Sequence, residues 1–134
     1  MSEIIRIEGI GEIYAEKLKT AGIATTEALL EQGSSREGRL KIAEDTGISA
    51  TLVLRWVNHA DLFRIKGVES QYAELLEAAG VDFVPELAQR VPANLAPRLA
   101  EVNDQKHLVR RIPTESQVAV WVDEAKTLPR MVHH

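Results

Sequence analysis

The sequence predicts an all-α protein built as two tandem five-helix globules, the first in residues 1–61 and the second in residues 62–134. Three observations predict it. Apolar residues recur three and four apart along the chain, and no stretch alternates polar with apolar as a half-buried strand does. The chain is also self-similar: a shift of 58 lays Arg6, Ile7, Gly9, Tyr14, Ala15, Glu16, Leu18, Ala21, Gly22 and Leu29 on Arg64, Ile65, Gly67, Tyr72, Ala73, Glu74, Leu76, Ala79, Gly80 and Leu87. Toward the end of each copy the shift grows to 65, with Val53, Trp56, Val57 and Ala60 on Val118, Trp121, Val122 and Ala125, which places an insertion near 103–108. Finally, Gly, Ser, Thr and Pro fall at the distances that start and stop short helices.

The elements follow in order. Gly11 precedes a helix bearing Tyr14, Ala15 and Leu18, and Gly22 follows it where a left-handed residue is wanted. Thr25 caps a helix carrying Leu29 and Leu30; Ser34, with Glu37 three residues on, has capping-box spacing before Leu40 and Ala43; Ser49 caps the next, with Val53, Trp56 and Val57. In the second copy Gly80 ends a helix, Asn94 caps another, and Thr114 with Gln117 forms a capping box before Val118 and Trp121. Pro85 and Pro97 are expected in first turns, where a missing N–H costs nothing. Helices this short persist in water only by burying one face, so the repeated Leu, Val and Ala positions and both tryptophans read as core. Tyr14 and Tyr72 read as packed rings with their hydroxyls at the surface.

Composition narrows the function. Hydrophobic residues make up 45% of the chain and charged residues 27%, as in folded globular proteins. No cysteine is present, which excludes disulfides, thiolate metal sites and cysteine nucleophiles and makes the cytoplasm the expected compartment. The opening Met1-Ser2-Glu3-Ile4-Ile5-Arg6 lacks the basic-then-apolar pattern of a leader, and no apolar run approaches a membrane span. The net charge is −4, so bulk electrostatics does not coat nucleic acid with this protein and any such contact is local. Residues 1–61 carry 7 basic and 10 acidic side chains and residues 62–134 carry 9 and 10, leaving the second half the less repulsive. His59 and Asp61 stand two apart and do not share a helix face, and no ligand cluster, nucleophile elbow or phosphate-binding Gly-rich loop with Lys appears. The expectation is a protein without catalytic residues, metal or cofactor.

The segment Ile7-Glu8-Gly9-Ile10-Gly11-Glu12-Ile13-Tyr14-Ala15 has the form apolar, Gly, apolar, Gly, then a small residue four later. Glycines let such a turn lie against a partner's backbone, while successive N–H groups and the following helix start present partial positive charge to a phosphate oxygen. This is the helix-hairpin-helix form. Continued through Ala21-Gly22-Ile23 and Asp45-Thr46-Gly47-Ile48-Ser49, the first copy resembles the amino-terminal domain of archaeal and eukaryotic recombinases and, more distantly, the carboxyl-terminal domain of the RNA polymerase alpha subunit. With Lys66-Gly67-Val68, Ala79-Gly80-Val81 and Arg110-Arg111-Ile112-Pro113-Thr114, the whole chain resembles an uncharacterised bacterial family of tandem helix-hairpin-helix-like domains. That resemblance implies two paired-hairpin, SAM-like globules and a nucleic-acid role.

Four hairpins of unequal quality are then expected. Gly9-Ile10-Gly11 is intact; Thr46-Gly47-Ile48-Ser49 keeps one glycine; Lys66-Gly67-Val68-Glu69 puts a carboxylate where phosphate approaches; Arg111-Ile112-Pro113-Thr114 has no glycine. Candidate contacts are Gly9, Ile10, Gly11, Lys17 and Lys19 around the first, Gly47 and Arg55 at the second, Arg64, Lys66 and Gly67 at the third, and Lys106, Arg110 and Arg111 beside the fourth. The expected partner is duplex or branched DNA held through its backbone. The rival expectation is a protein-interaction module on the same scaffold, which suits an acidic chain with degenerate hairpins.

Overall fold

The computed structural model describes residues 3–134; Met1 and Ser2, the first two residues of the opening stretch read above, lie outside them. Among the described residues a 3-10 turn, Ile4–Arg6, precedes eight α-helices: α1 Glu12–Thr20, α2 Thr26–Gln32, α3 Arg36–Thr46, α4 Ala50–Leu62, α5 Ser70–Ala78, α6 Val84–Ala88, α7 Pro92–Lys106 and α8 Glu115–Thr127. The protein is all-helical. Its chain divides into two units, Met1–Asp61 with Met131–His134, and Leu62–Arg130.

In the first unit, Ile4, Ile7, Leu18, Ile23, Leu29, Val53, Trp56 and Val57 are buried. The helix ends that bring them together are set locally. Gly22, at φ 87°, closes α1 and lets the Ile23 N–H return to the Leu18 carbonyl at 2.8 Å. Thr25 caps α2 by accepting from the Ala28 N–H at 3.0 Å, and Ser49 caps α4 by accepting from the Leu52 N–H at 3.2 Å. The cap of α3 is Ser35, which accepts from the Gly38 N–H at 3.0 Å, whereas the Ser34 hydroxyl donates back to the Glu31 carbonyl. The expected cap on Ser34 is therefore displaced by one residue, and with Gly38 at the third helical position no box closes. The Ser34 carbonyl is engaged by Arg39 and by the His133 N–H, which leaves Ser35 as the extended residue before the helix.

Residues 131–134, expected in the second copy, belong instead with the first unit. Val132 is fully buried there, and His133 is bonded through both its N–H, to Ser34, and its carbonyl, to Arg39.

The second unit packs Leu62, Ile65, Leu76, Val81, Leu87, Leu95, Leu99, Val118 and Trp121 into one core. Gly80, at φ 94°, closes α5 with a Val81-to-Leu76 bond of 2.8 Å. Pro85 lies in the first turn of α6 as expected. Asn94 does not cap α7. Pro92 opens that helix two residues earlier, because its fixed φ suits a first turn, and Val91 becomes the N-cap. In consequence Pro97 lies inside the helix and not in its first turn. The expected insertion near 103–108 falls on the end of α7 and the start of the 108–113 loop that follows its left-handed end at His107, φ 53°. Thr114 and Gln117 form the expected capping box at α8.

Candidate nucleic-acid interface

In the first unit the Gly9-Ile10-Gly11 bend is made by alternating requirements. Ile10 is buried and its N–H is held by the Ile7 carbonyl at 3.1 Å, which anchors the bend from below. Gly9 turns at φ 93°, with Trp56 Nε1 lying 3.6 Å from where its β-carbon would be. Trp56 is itself held by the Tyr14 ring, at 5.2 Å between centroids and tilted by 59°. Gly11 is the N-cap of α1, has ordinary extended geometry (φ −86°, ψ −174°), offers no side-chain cap, and has open space around its would-be β-carbon. The first-turn amides of α1 are left without an intrahelical acceptor and without a capping side chain.

The charge around this bend is mixed. Lys17 and Lys19 are exposed on α1, but Lys17 shares one concavity with Glu12 and Glu16, and Lys19 shares another with Glu3, Glu12 and Glu16. Glu8 and Glu12 flank the bend and are exposed.

Where the second hairpin was expected, Gly47 is occupied as the left-handed end of α3, φ 74°, and its N–H meets the Ala43 carbonyl at 2.9 Å. The Ile48 N–H donates to Thr46 Oγ1 at 3.2 Å. Two of the amides expected to point outward are turned inward. Arg55 is on the exposed side of α4.

At the expected third hairpin Gly67 turns at φ 89°, close to the 93° of Gly9, and an indole nitrogen, Trp121 Nε1, lies 3.6 Å from its would-be β-carbon. The Lys66 N–H, however, donates to Glu124 Oε1 of α8 at 3.1 Å, so a carboxylate of the protein takes an amide that a phosphate oxygen would use. Arg64 reaches the Pro129 carbonyl at 2.7 Å, and Glu69 stands exposed as the N-cap of α5.

The fourth region is an ordered loop. Asn103, buried on α7, holds Val109 at both peptide atoms: its Nδ2 donates to the carbonyl at 3.0 Å and its Oδ1 accepts from the N–H at 2.9 Å. The Tyr72 hydroxyl donates to the Arg111 carbonyl at 2.9 Å, tying the loop to the first turn of α5. Lys106, Arg110 and Arg111 are exposed. The Tyr72 ring rests on Trp121, 5.3 Å away and tilted by 57°, so one side chain packs the core and fixes the basic loop.

Sequence reasoning missed Asn103, Glu124 and Arg39. An amide beside Leu99 and Val102 on the inner face of α7 is a signal for the first; the other two depend on tertiary neighbours alone. Among the described residues no group of His, Asp or Glu is placed to hold a metal ion, and no helix is long and apolar enough to cross a membrane.

A family model described as Domain of unknown function (DUF4332) matches residues 8–128. The chain belongs to the DUF4332 family. The DUF4332 match takes in the turns at Gly9, Gly47 and Gly67 and the 108–113 loop, and stops short of the 131–134 segment. No curated protein and no solved structure matches the chain.

Proposed function

We propose that this DUF4332 chain is a non-enzymatic module, made of two copies of a helix-hairpin-helix pair, that grips the phosphate backbone of duplex or branched DNA without reading its bases. The observation that carries the reading is the Gly9-Ile10-Gly11 bend: anchored beneath by Ile10, open at Gly11 and followed by an uncapped helix start. The two-copy reading is supported by matched local geometry in the two units. Gly9 and Gly67 share φ near 90° and the same indole contact, each Tyr–Trp pair has the same tilt, and each first helix ends in the same six-residue closing bond. The pinned Arg110-Arg111 loop supplies the second contact.

A second reading, a protein-docking module, is favoured by Ile13, 75% exposed on α1, and by Glu124 in the third hairpin.

Fluorescence anisotropy of a labelled duplex at low salt separates them. Gly11→Val fills the bend without backbone strain, because Gly11 has an ordinary φ and open space. The DNA reading expects both Gly11→Val and Arg110→Glu to weaken binding at least five-fold. Each phosphate neutralised by a side chain adds about −0.9 to the slope of log K against log salt, so Arg110→Glu flattens that slope more than Gly11→Val does. Absence of binding, or binding indifferent to both changes, removes the DNA reading. Capture of one stoichiometric protein partner, lost in Ile13→Asp, then establishes the second.

A further inference from the structure

The first unit also contains a cavity of about 350 Å3 that the bend does not use. Its walls include Arg36 and Arg39 of α3, Ala50 and Thr51 of α4, two leucines and His134, and no carboxylate side chain among them. Arg39 is only 5% exposed. Its guanidinium donates to the carbonyls of Gly33 at 2.8 Å, Ser34 at 3.2 Å and His133 at 2.8 Å. Those three bonds leave two of its five N–H groups without a partner among the described residues, and every acceptor is a neutral carbonyl. Burial, and after it the charge of Arg36, hold the Arg39 guanidinium below its usual pKa. A buried cation is costly unless a counter-charge lies beside it, and the charge that acts on Arg39, that of Arg36, has the same sign. The first turns of α3 and α4 both line the cavity, adding the partial positive charge of two helix starts.

We propose that this cavity binds a phosphate group, its oxygens held by Arg36 and by the remaining N–H groups of Arg39. Paired guanidinium forks and two helix starts suit an anion with several oxygens and more than one charge. The volume exceeds that of a bare phosphate and leaves room for the ester it is attached to. Two sources share this chemistry: a small phosphate monoester and the backbone of a nucleic-acid strand. The site is independent of the Gly9-Ile10-Gly11 bend.

The test is an NMR titration of the full 15N-labelled chain, following the amides of Arg36, Ala50 and Thr51. Inorganic phosphate, a nucleoside 5′-monophosphate and a short duplex are added in turn, each against sodium chloride of matched ionic strength. The proposal expects saturable shifts at these amides with at least one phosphate species and not with chloride. Arg36→Ala, at an exposed position outside the core, is expected to weaken that binding at least five-fold. Saturation by the monophosphate with none by the duplex assigns the small ester, and saturation by the duplex assigns the strand. Gly11→Val is expected to leave these shifts in place, so loss of DNA binding at the bend and loss of this site are read separately. Shifts no larger than those in chloride, or an Arg36→Ala effect smaller than five-fold, overturn the proposal. Arg39→Lys, which keeps the charge and loses the fork, is expected to abolish saturation while the melting profile still shows a folded chain.

Discussion

Gly38 stands inside α3 where a β-carbon would collide with the carbonyl oxygen of Gln32. Helix propensity alone favours alanine over glycine there by about 1 kcal/mol. The fixed backbone atom decides otherwise: Gly38→Ala is expected to destabilise the protein by about 1–3 kcal/mol, as overpacking does, and to lower the Tm followed by circular dichroism. Asn103 is the other residue whose worth is invisible to propensity. Its amide satisfies both peptide atoms of Val109, so Asn103→Ala leaves a buried donor and a buried acceptor without partners, at a cost of about 2–3 kcal/mol. Urea denaturation measures that loss, and faster amide exchange at Val109 locates it. Asn103→Asp is expected to be worse than alanine, because a carboxylate accepts from the N–H but faces the carbonyl with a second negative oxygen. Glu124 was illegible for the same reason as Arg39: what each does depends on a backbone group far away in the chain, Lys66 for one and His133 for the other.

Among the helices, three of the N-terminal ends read from the sequence are found where they were expected. Thr25, Ser49 and Thr114 cap as their spacing requires, since a cap is a bond three residues long and needs no tertiary partner. At two other helix starts the local signal picks the wrong residue. Ser34 and Ser35 are equally able to cap α3, and the engagement of the Ser34 carbonyl selects the second. Pro92 and Asn94 compete at α7, and the proline starts the helix. Pro97 is then held in an interior position, where it removes one main-chain bond and crowds the preceding turn. Pro97→Ala is expected to stabilise the protein by about 1–3 kcal/mol, part of the usual cost of an interior proline, and to raise the Tm. A fall in Tm would show that Pro97 is needed to seat Leu95 and Leu99 in the core.

At the level of the whole molecule, the chain divides at the end of α4, and the 131–134 segment returns to the unit that contains the beginning of the chain. Val132 is fully buried and His133 bonds both Ser34 and Arg39, so removing residues 131–134 is expected to destabilise the first unit by about 2–4 kcal/mol through lost apolar burial and unsatisfied polar groups. Hydrogen exchange checks it: protection is expected to fall in α3, with α5 to α8 little changed, and an equal loss in both units would contradict it. The sequence by itself determined the helical class, the tryptophan anchors and the glycine-led helix ends, because each follows from interactions between residues a few positions apart. Only the tertiary structure decided which of the backbone amides expected to face outward remain available. Glu124 taking the Lys66 amide, Tyr72 and Asn103 pinning the basic loop and the tail docking on Arg39 are contacts whose energies depend on distance in space. A periodic pattern carries no record of which polar group another will meet once the core has closed.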